Sequence, residues 1–268
     1  MKLETFLINM KKDTERLEFM SKQLSVLDIP FAIQEGIDGK TYDFQKIYDE
    51  SLAIKLNGAE LTPGEKGCLL SHRLIWEKVV KENIAYALIL EDDIELTPDF
   101  KNILDREIKN RQENKTIWEY LSFNYPTPGI KFIKLWVSLI IMQFSEKSSL
   151  KQWLMIPLYA IKFLFISIVS VFEGIRETLY KNAKWGKPLL FYRPIYLAGC
   201  YVLTTVGAKK LLDINEKLVY TADRIQNIAR KQNDLKVFWY VPLQAKQRRD
   251  KFHSSMYEGR DYNFKKYG

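Results

Sequence analysis

The sequence is poor in the residues that most often mark a site: 2 cysteines and 2 histidines in 268 residues. Cys68 and Cys200 sit in apolar surroundings and form no metal-ligand spacing. They read as buried free thiols, which suits a reducing cytoplasm. No stretch is long and low in complexity, and no internal repeat builds a solenoid. The opening apolar stretch, ending at Ile8, is too short for a signal-peptide core and has no small-residue cleavage site, so a cytoplasmic location is expected. At 268 residues the chain can bury a large core as one domain, with or without an insertion.

The informative stretch is Ala85-Tyr86-Ala87-Leu88-Ile89-Leu90-Glu91-Asp92-Asp93-Ile94-Glu95-Leu96. Its apolar run has strand length and no alternation, as expected of a strand buried on both faces in a sheet covered by helices. It stops at three consecutive acids. Carboxylates at the end of a buried strand repel one another and resist desolvation. A divalent cation at the mouth of the sheet relieves both problems, and hard oxygen ligands suit Mg²⁺ or Mn²⁺. Open α/β sheets bind ligands at that mouth. A solvated acidic turn is the plainer reading of the same residues.

Around it the chain reads as α/β. Thr5 to Ile8 is a first strand, and Asp13 or Thr14 can cap a helix carrying Leu17, Met20, Leu24 and Leu27. Phe31 to Ile33 is a second strand, which makes one βαβ unit, and Gln34 to Gly39 is a loop with two glycines. Thr62 or Gly64 opens a helix with Pro63 in its first turn. Its apolar stripe includes His72, while Arg73 is expected to reach outward. Further elements are a helix from about Asp99 to Asn110, a strand over Trp118 to Phe123, and a glycine-containing strand over Ile195 to Leu203. The glycine, Gly199, suggests close approach of a ligand or another backbone. A helix over Val206 to Asp213 capped by Thr204 or Thr205, one over Arg224 to Lys231, and a strand over Lys236 to Val241 complete the pattern. The tail from Gln244 is basic and aromatic and is expected to wrap the surface.

Residues 130–187 differ in composition. Between Pro126 and Lys187 nine lysines and arginines face three glutamates, a balance of 9 − 3 = +6 within a total of +8. The segment holds two apolar stretches, Phe132 to Phe144 and Trp153 to Phe172. The second has bilayer length, but Lys162 interrupts it, and Lys151, Lys162 and Glu173 recur about every three turns on one face. A single span would put Glu91–Asp93 and Asp223 on opposite sides of the membrane. The first stretch, at ~20 Å as a helix, falls short of the ~30 Å of a hydrocarbon core. An amphipathic, basic, inserted helical segment lying on an anionic membrane surface is expected, with an internal helical hairpin as the other reading.

Several motifs coincide in order: Ile8-Asn9 with Arg16 downstream, Gly36-Ile37-Asp38-Gly39, Gly64 to Trp76 with its Gly-Cys-Leu-Leu-Ser-His core, and Glu91-Asp92-Asp93. With Ala198 to Leu203, Gly207 to Leu212 and Asp223, they make the chain resemble glycosyltransferase family 25, the lipopolysaccharide and lipooligosaccharide glycosyltransferases of Gram-negative bacteria. The resemblance is good over residues 1–125 and silent over 130–187. It implies a GT-A-like fold, here a single catalytic domain over 1–268 with the insert at 130–187. It also implies a UDP-sugar donor, galactose favoured over glucose, and inversion at the anomeric carbon. A lipid-linked oligosaccharide acceptor at the inner face of the inner membrane follows, and nucleic acid is not an expected partner.

In this reading Asp93, with Asp92 or Glu91 assisting, holds Mn²⁺ or Mg²⁺, and His253 in the tail is a further candidate ligand. Asp223 is the candidate base for the acceptor hydroxyl, or else a helix N-cap. Asn9, Arg16, Asp38 and Ser71 belong with Glu91 and Asp92 to the donor site, Asn9 to Arg16 and Asp38 being set against uridine and ribose. A nucleotidyltransferase would share the acidic motif, but it usually carries a glycine-rich phosphate loop where this chain has Asn9-Met10-Lys11-Lys12. A non-catalytic, membrane-associated carbohydrate-binding protein is the third reading.

Overall fold

The computed structural model describes residues 3–124, 186–189 and 197–252. Strand β1 (Leu3–Asn9) leads into helix α1 (Thr14–Val26), and β2 (Ala32–Glu35) returns parallel to β1, with Phe6 opposite Ala32. This is the expected βαβ unit. Helices α2 (Glu50–Asn57) and α3 (Pro63–Lys81) then carry the chain across to β3 (Tyr86–Glu91), which pairs parallel with the other side of β1.

The chain continues through β4 (Ile94–Leu96), α4 (Phe100–Gln112), β5 (Tyr120–Ser122), β6 (Lys187–Leu189) and β7 (Cys200–Thr204). Helices α5 (Thr205–Asp213) and α6 (Ile225–Gln232) and strands β8 (Val237–Val241) and β9 (Ala245–Gln247) complete it. Among the described residues seven strands form one mixed sheet in the order β2-β1-β3-β7-β5-β8-β6, and β4 pairs with β9 in a separate two-stranded ribbon. Strand β7 runs antiparallel to both β3 and β5. A mixed sheet with helices on its faces is the α/β class expected and is compatible with a GT-A-like glycosyltransferase fold.

The unbroken apolar character of β3 follows from its place in the sheet. Ala87 and Ile89 enter a core with Leu69, Ile75 and Trp76 of α3, whereas Tyr86, Leu88 and Leu90 enter a second core with Met20 and Leu24 of α1 and Phe100 and Leu104 of α4. Both faces of the strand are dry, so alternation has nothing to encode. β1 divides its side chains the same way, Phe6 to the first core and Leu7 to the second.

Local signals fix the helix starts. Thr62 accepts from the Glu65 amide while the Glu65 carboxylate accepts from the Thr62 amide, a reciprocal cap with Pro63 in the first turn. Thr204 caps α5 by accepting from the Gly207 amide at 3.1 Å. Arg73 departs from expectation. Its guanidinium donates to Glu77 and to the carbonyls of Asn215 and Glu216, tying α3 to the turn after α5. The close approach at Gly199 is also different from that foreseen, because a Cβ there would meet the side chain of Ile94 at 2.6 Å and that of Glu91 at 3.3 Å.

Two glycines explain why the loop after β2 and the start of α3 occur together as motifs. A Cβ on Gly39 would lie 1.6 Å from the Pro63 carbonyl oxygen, and one on Gly67 would lie 2.4 Å from that of Ile37. Backbone thus rests directly on backbone. The apolar stretches Phe132 to Phe144 and Trp153 to Phe172, with most of the inserted segment, lie outside the described residues, as do Ile195 and Tyr196. Among the described residues no helix is long and apolar enough to cross a membrane.

Gly39→Ala must displace backbone, so it should cost about 1–3 kcal/mol or more of stability. Gly36→Ala, whose Cβ would first meet the flexible Met10 side chain at 3.0 Å, should cost less. Urea unfolding of the two variants checks the order, and equal midpoints would contradict the backbone-on-backbone contact.

Candidate functional site

From β1 the chain moves to one side for β2 and to the other for β3, so the order reverses between β1 and β3. Ligand sites in open α/β sheets lie at the carboxyl ends of strands at such a reversal. The register puts Ile8 opposite Glu91 and Asn9 opposite Glu35, so the turns after all three strands meet at one edge. A cleft of about 260 Å³ opens there, lined by those turns and by the first half of α3.

The three acids at its back divide the work unequally. Asp92 is buried, and both its oxygens are taken: Oδ2 accepts from Asn9 Nδ2 at 2.8 Å and Oδ1 from Arg16 Nη1 at 2.8 Å. Burial raises its pKa, and Arg16 and Asn9 pull against that rise. Asp93 is also buried, at 4% exposure, but only Oδ2 is satisfied, by Gln247 Nε2 at 3.0 Å. Among the described residues its Oδ1 has no hydrogen-bond partner. Burial first, then the charges of Glu91 and Asp92, push Asp93 up to about 7, with Arg16 pulling the other way. Glu91 turns to the floor of the cleft, with Oε1 3.3 Å from His72 Nε2 and 3.9 Å from Cys68 Sγ.

That floor is the face of α3 that carries Cys68, Ser71 and His72 at helical spacing. Ser71 Oγ donates to the Gly67 carbonyl and accepts from the Ile37 amide at 2.9 Å, so its hydroxyl fastens the glycine loop to the helix. His72 is buried, and its Nδ1 lies 2.9 Å from the Tyr201 hydroxyl, which also accepts from Trp76 Nε1 at 2.9 Å. Tyr201 stacks on Tyr120 at 4.4 Å, so the imidazole is held by an aromatic column. Cys68 is half-buried at the cleft and Cys200 fully buried in β7, both free. Burial and nearby carboxylates hold the Cys68 thiol well above its usual range.

At the rim, Asp38 accepts from the Lys40 amide at 2.9 Å and stands 3.8 Å from Lys12 Nζ. Lys12, Arg16 and Lys40 all line the cleft. The structure thus brings Asn9, Arg16, Asp38, Ser71, Glu91, Asp92 and Asp93 together. Asp223 does not line this cleft. It precedes α6, accepts from the Thr221 hydroxyl and does not cap that helix, whose N-cap position is Arg224. Burial raises its pKa and the charge of Glu91 raises it further, so the two carboxylates feel one another. His253 lies outside the described residues.

Gln247 escaped sequence reasoning. It reaches the acids because β9 pairs antiparallel with β4 and sets Gln247 opposite Ile94. Its amide nitrogen lies 3.0 Å from Asp93 Oδ2 and 3.5 Å from Glu91 Oε2. A neutral donor between two carboxylates marks a point where the field favours a cation. The donor set fits a hard divalent ion: Asp93 Oδ1 is unsatisfied, Glu91 is adjacent, and Asp92 is committed to Asn9 and Arg16.

The ordinary pKa of Asp93 is 3.8 and the fold raises it to about 7, so the folded state holds a proton that the unfolded state has lost. Its contribution is fully present below the unfolded value and is lost as pH rises through the folded one. Asp93→Asn should therefore melt higher than the parent at pH about 8, and the gap should close as pH falls to about 4. Thermal melts across that range check this, and a parent that melts higher in alkali would overturn it.

Comparison with known proteins bears on the reaction class. The chain is 32% identical over 146 residues to procollagen galactosyltransferase 1-A of Xenopus laevis, covering 48% of this chain and 24% of that protein. It is 35% identical over 102 residues to a glycosyltransferase 25 family member of Anopheles gambiae, covering 36% of this chain and 17% of that one. It is 30% identical over 126 residues to the human inactive glycosyltransferase 25 family member 3, covering 44% and 21%. The chain thus matches about a quarter or less of the length of these relatives. The family model described as glycosyltransferase family 25 (LPS biosynthesis protein) matches residues 2–226. With that share of its length matched, the chain belongs to glycosyltransferase family 25.

Proposed function

We propose that this protein is an inverting, metal-dependent glycosyltransferase. It would move a hexose, galactose first and glucose next, from a UDP-sugar to a lipooligosaccharide or lipopolysaccharide core. The observation that carries the reading is the unsatisfied, buried carboxylate oxygen of Asp93 at the back of the cleft between β1 and β3. The family membership and the galactosyltransferases among the relatives support the reaction class.

A departing nucleoside diphosphate carries concentrated negative charge, which a divalent cation held by Asp93 and Glu91 would neutralise as a Lewis acid. The chain's own residues do the rest. Lys12, Arg16 and Lys40 set a positive rim against the diphosphate, and the Asn9 turn with Asp38 suits a ribose and a uracil edge. The Arg16–Asp92 pair keeps the rim in register with the acids. Asp223, whose carboxylate feels the charge of Glu91, would take the acceptor hydroxyl's proton, with Thr221 orienting it.

Transfer from UDP-galactose should need Mn²⁺ or Mg²⁺ and stop with chelator; activity unchanged by chelator would sink the metal role. Asp223→Asn should lower kcat by about 10² or more while donor binding persists. A loss of only a few-fold would assign Asp223 to acceptor contact.

The acceptor implies a membrane. The basic segment 130–187 would hold the chain on the inner face of the inner membrane, over a lipid-linked oligosaccharide, by charge and by apolar insertion. The protein should co-sediment with anionic vesicles and be partly released by high salt, because screening weakens only the charge contribution. Indifference to anionic vesicles would make the segment an internal or oligomeric hairpin.

A further inference from the structure

The cleft floor holds a ligand set chemically unlike the acids above it. Cys68 and His72, one turn apart on α3, present Sγ and Nε2 toward Glu91. These ligand atoms all lie within 4.8 Å of one another. We infer that Cys68, His72 and Glu91 form a second cation site, selective for a thiophilic divalent ion of the Zn²⁺ class.

Two of the three edges are close to those of a tetrahedral site, and the third is within 4.8 Å. Bonds of about 2.3 Å to sulfur and about 2.1 Å to nitrogen and oxygen give edges of about 3.6 Å for S–O and about 3.4 Å for N–O. The observed separations are 3.9 Å for Cys68 Sγ to Glu91 Oε1 and 3.3 Å for His72 Nε2 to the same oxygen. No large movement is needed to close them on one ion.

The surroundings fit as well. A metal-bound imidazole needs its other nitrogen held, and Nδ1 of His72 lies 2.9 Å from the Tyr201 hydroxyl. All three residues border the cleft, so the site has an entry path and an open fourth position. Thiolate and imidazole favour Zn²⁺ over Mg²⁺ or Mn²⁺, whereas the Asp93 oxygen above has the opposite preference. Glu91 is shared by the two positions. Occupancy of the floor would remove it from the upper one, so Zn²⁺ should oppose Mn²⁺-dependent transfer. That consequence rests on the proposed function; the binding does not.

Co²⁺ is the probe, because a bound thiolate gives it a charge-transfer absorption and tetrahedral geometry gives it intense visible bands. The full chain titrated with Co²⁺ should develop both at one equivalent, and Zn²⁺ should abolish them. Cys200→Ala should keep the spectrum, Cys68→Ser should lose the charge-transfer band, and His72→Gln should lose tetrahedral intensity. Zn²⁺ should also slow alkylation of Cys68, located by mass spectrometry in the unaltered chain, so the result does not hang on a variant's folding. Absence of the band in the wild type, its survival in Cys68→Ser, or alkylation indifferent to Zn²⁺ would overturn the site. Neither readout needs a donor or acceptor. A chain that binds cobalt but transfers no sugar would sink the transferase reading and leave this site standing, and the reverse result would do the opposite.

Discussion

The structure turns on crowding of negative charge at the end of β3. Glu91, Asp92 and Asp93 arrive together where a strand dry on both faces reaches the sheet edge. Each must find its own compensation. Asp92 takes an arginine and an amide, Asp93 takes one amide and leaves an oxygen bare, and Glu91 leans onto a histidine and a thiol. The loops after β1 and β2, the face of α3 and the C-terminal ribbon are all arranged about those three solutions.

Much of this was legible in the chain. The βαβ start, the burial of β3 on both faces, and the caps at Thr62 and Thr204 all follow from local pattern, because each is decided within a turn of helix or a strand's length. The acidic motif was legible for the same reason: charge that stops a dry strand has few places to go. The position of β7 was not. It runs antiparallel between β3 and β5, and nothing local tells a strand which neighbours it will have. Gly199 was misread on that account. The strand pairing brings Ile94 and Glu91 against it, which only the sheet order reveals.

The partners of the acids were the least legible part. Asn9 and Arg16 lie 83 and 76 residues from Asp92, and Gln247 lies 154 from Asp93. A glutamine in a basic tail carries no signal of its own. Its role appears only when β9 pairs with β4. His72 was legible as a buried residue of the α3 stripe, yet its alignment by Tyr201 and Trp76 depends on β7 as well. Tertiary pairing turned a structural histidine into one that faces the cleft.

These long separations give the site a particular dependence on the whole chain. The family match ends at residue 226, while the group that satisfies Asp93 Oδ2 stands at 247. The acidic strand end, the glycine loop and the α3 motif all fall inside that matched range. What completes the pocket here comes from beyond the matched region, through a three-residue ribbon strand whose partner begins immediately after Asp93. Without Gln247's amide, a still-buried Asp93 would lose its donor among the described residues, a cost of about 1–3 kcal/mol for the orphaned acceptor. The fold therefore satisfies Asp93 Oδ2 with its last described strand. Gln247, a neutral donor bridging Asp93 and Glu91, leaves the charge between them uncancelled and available to a cation.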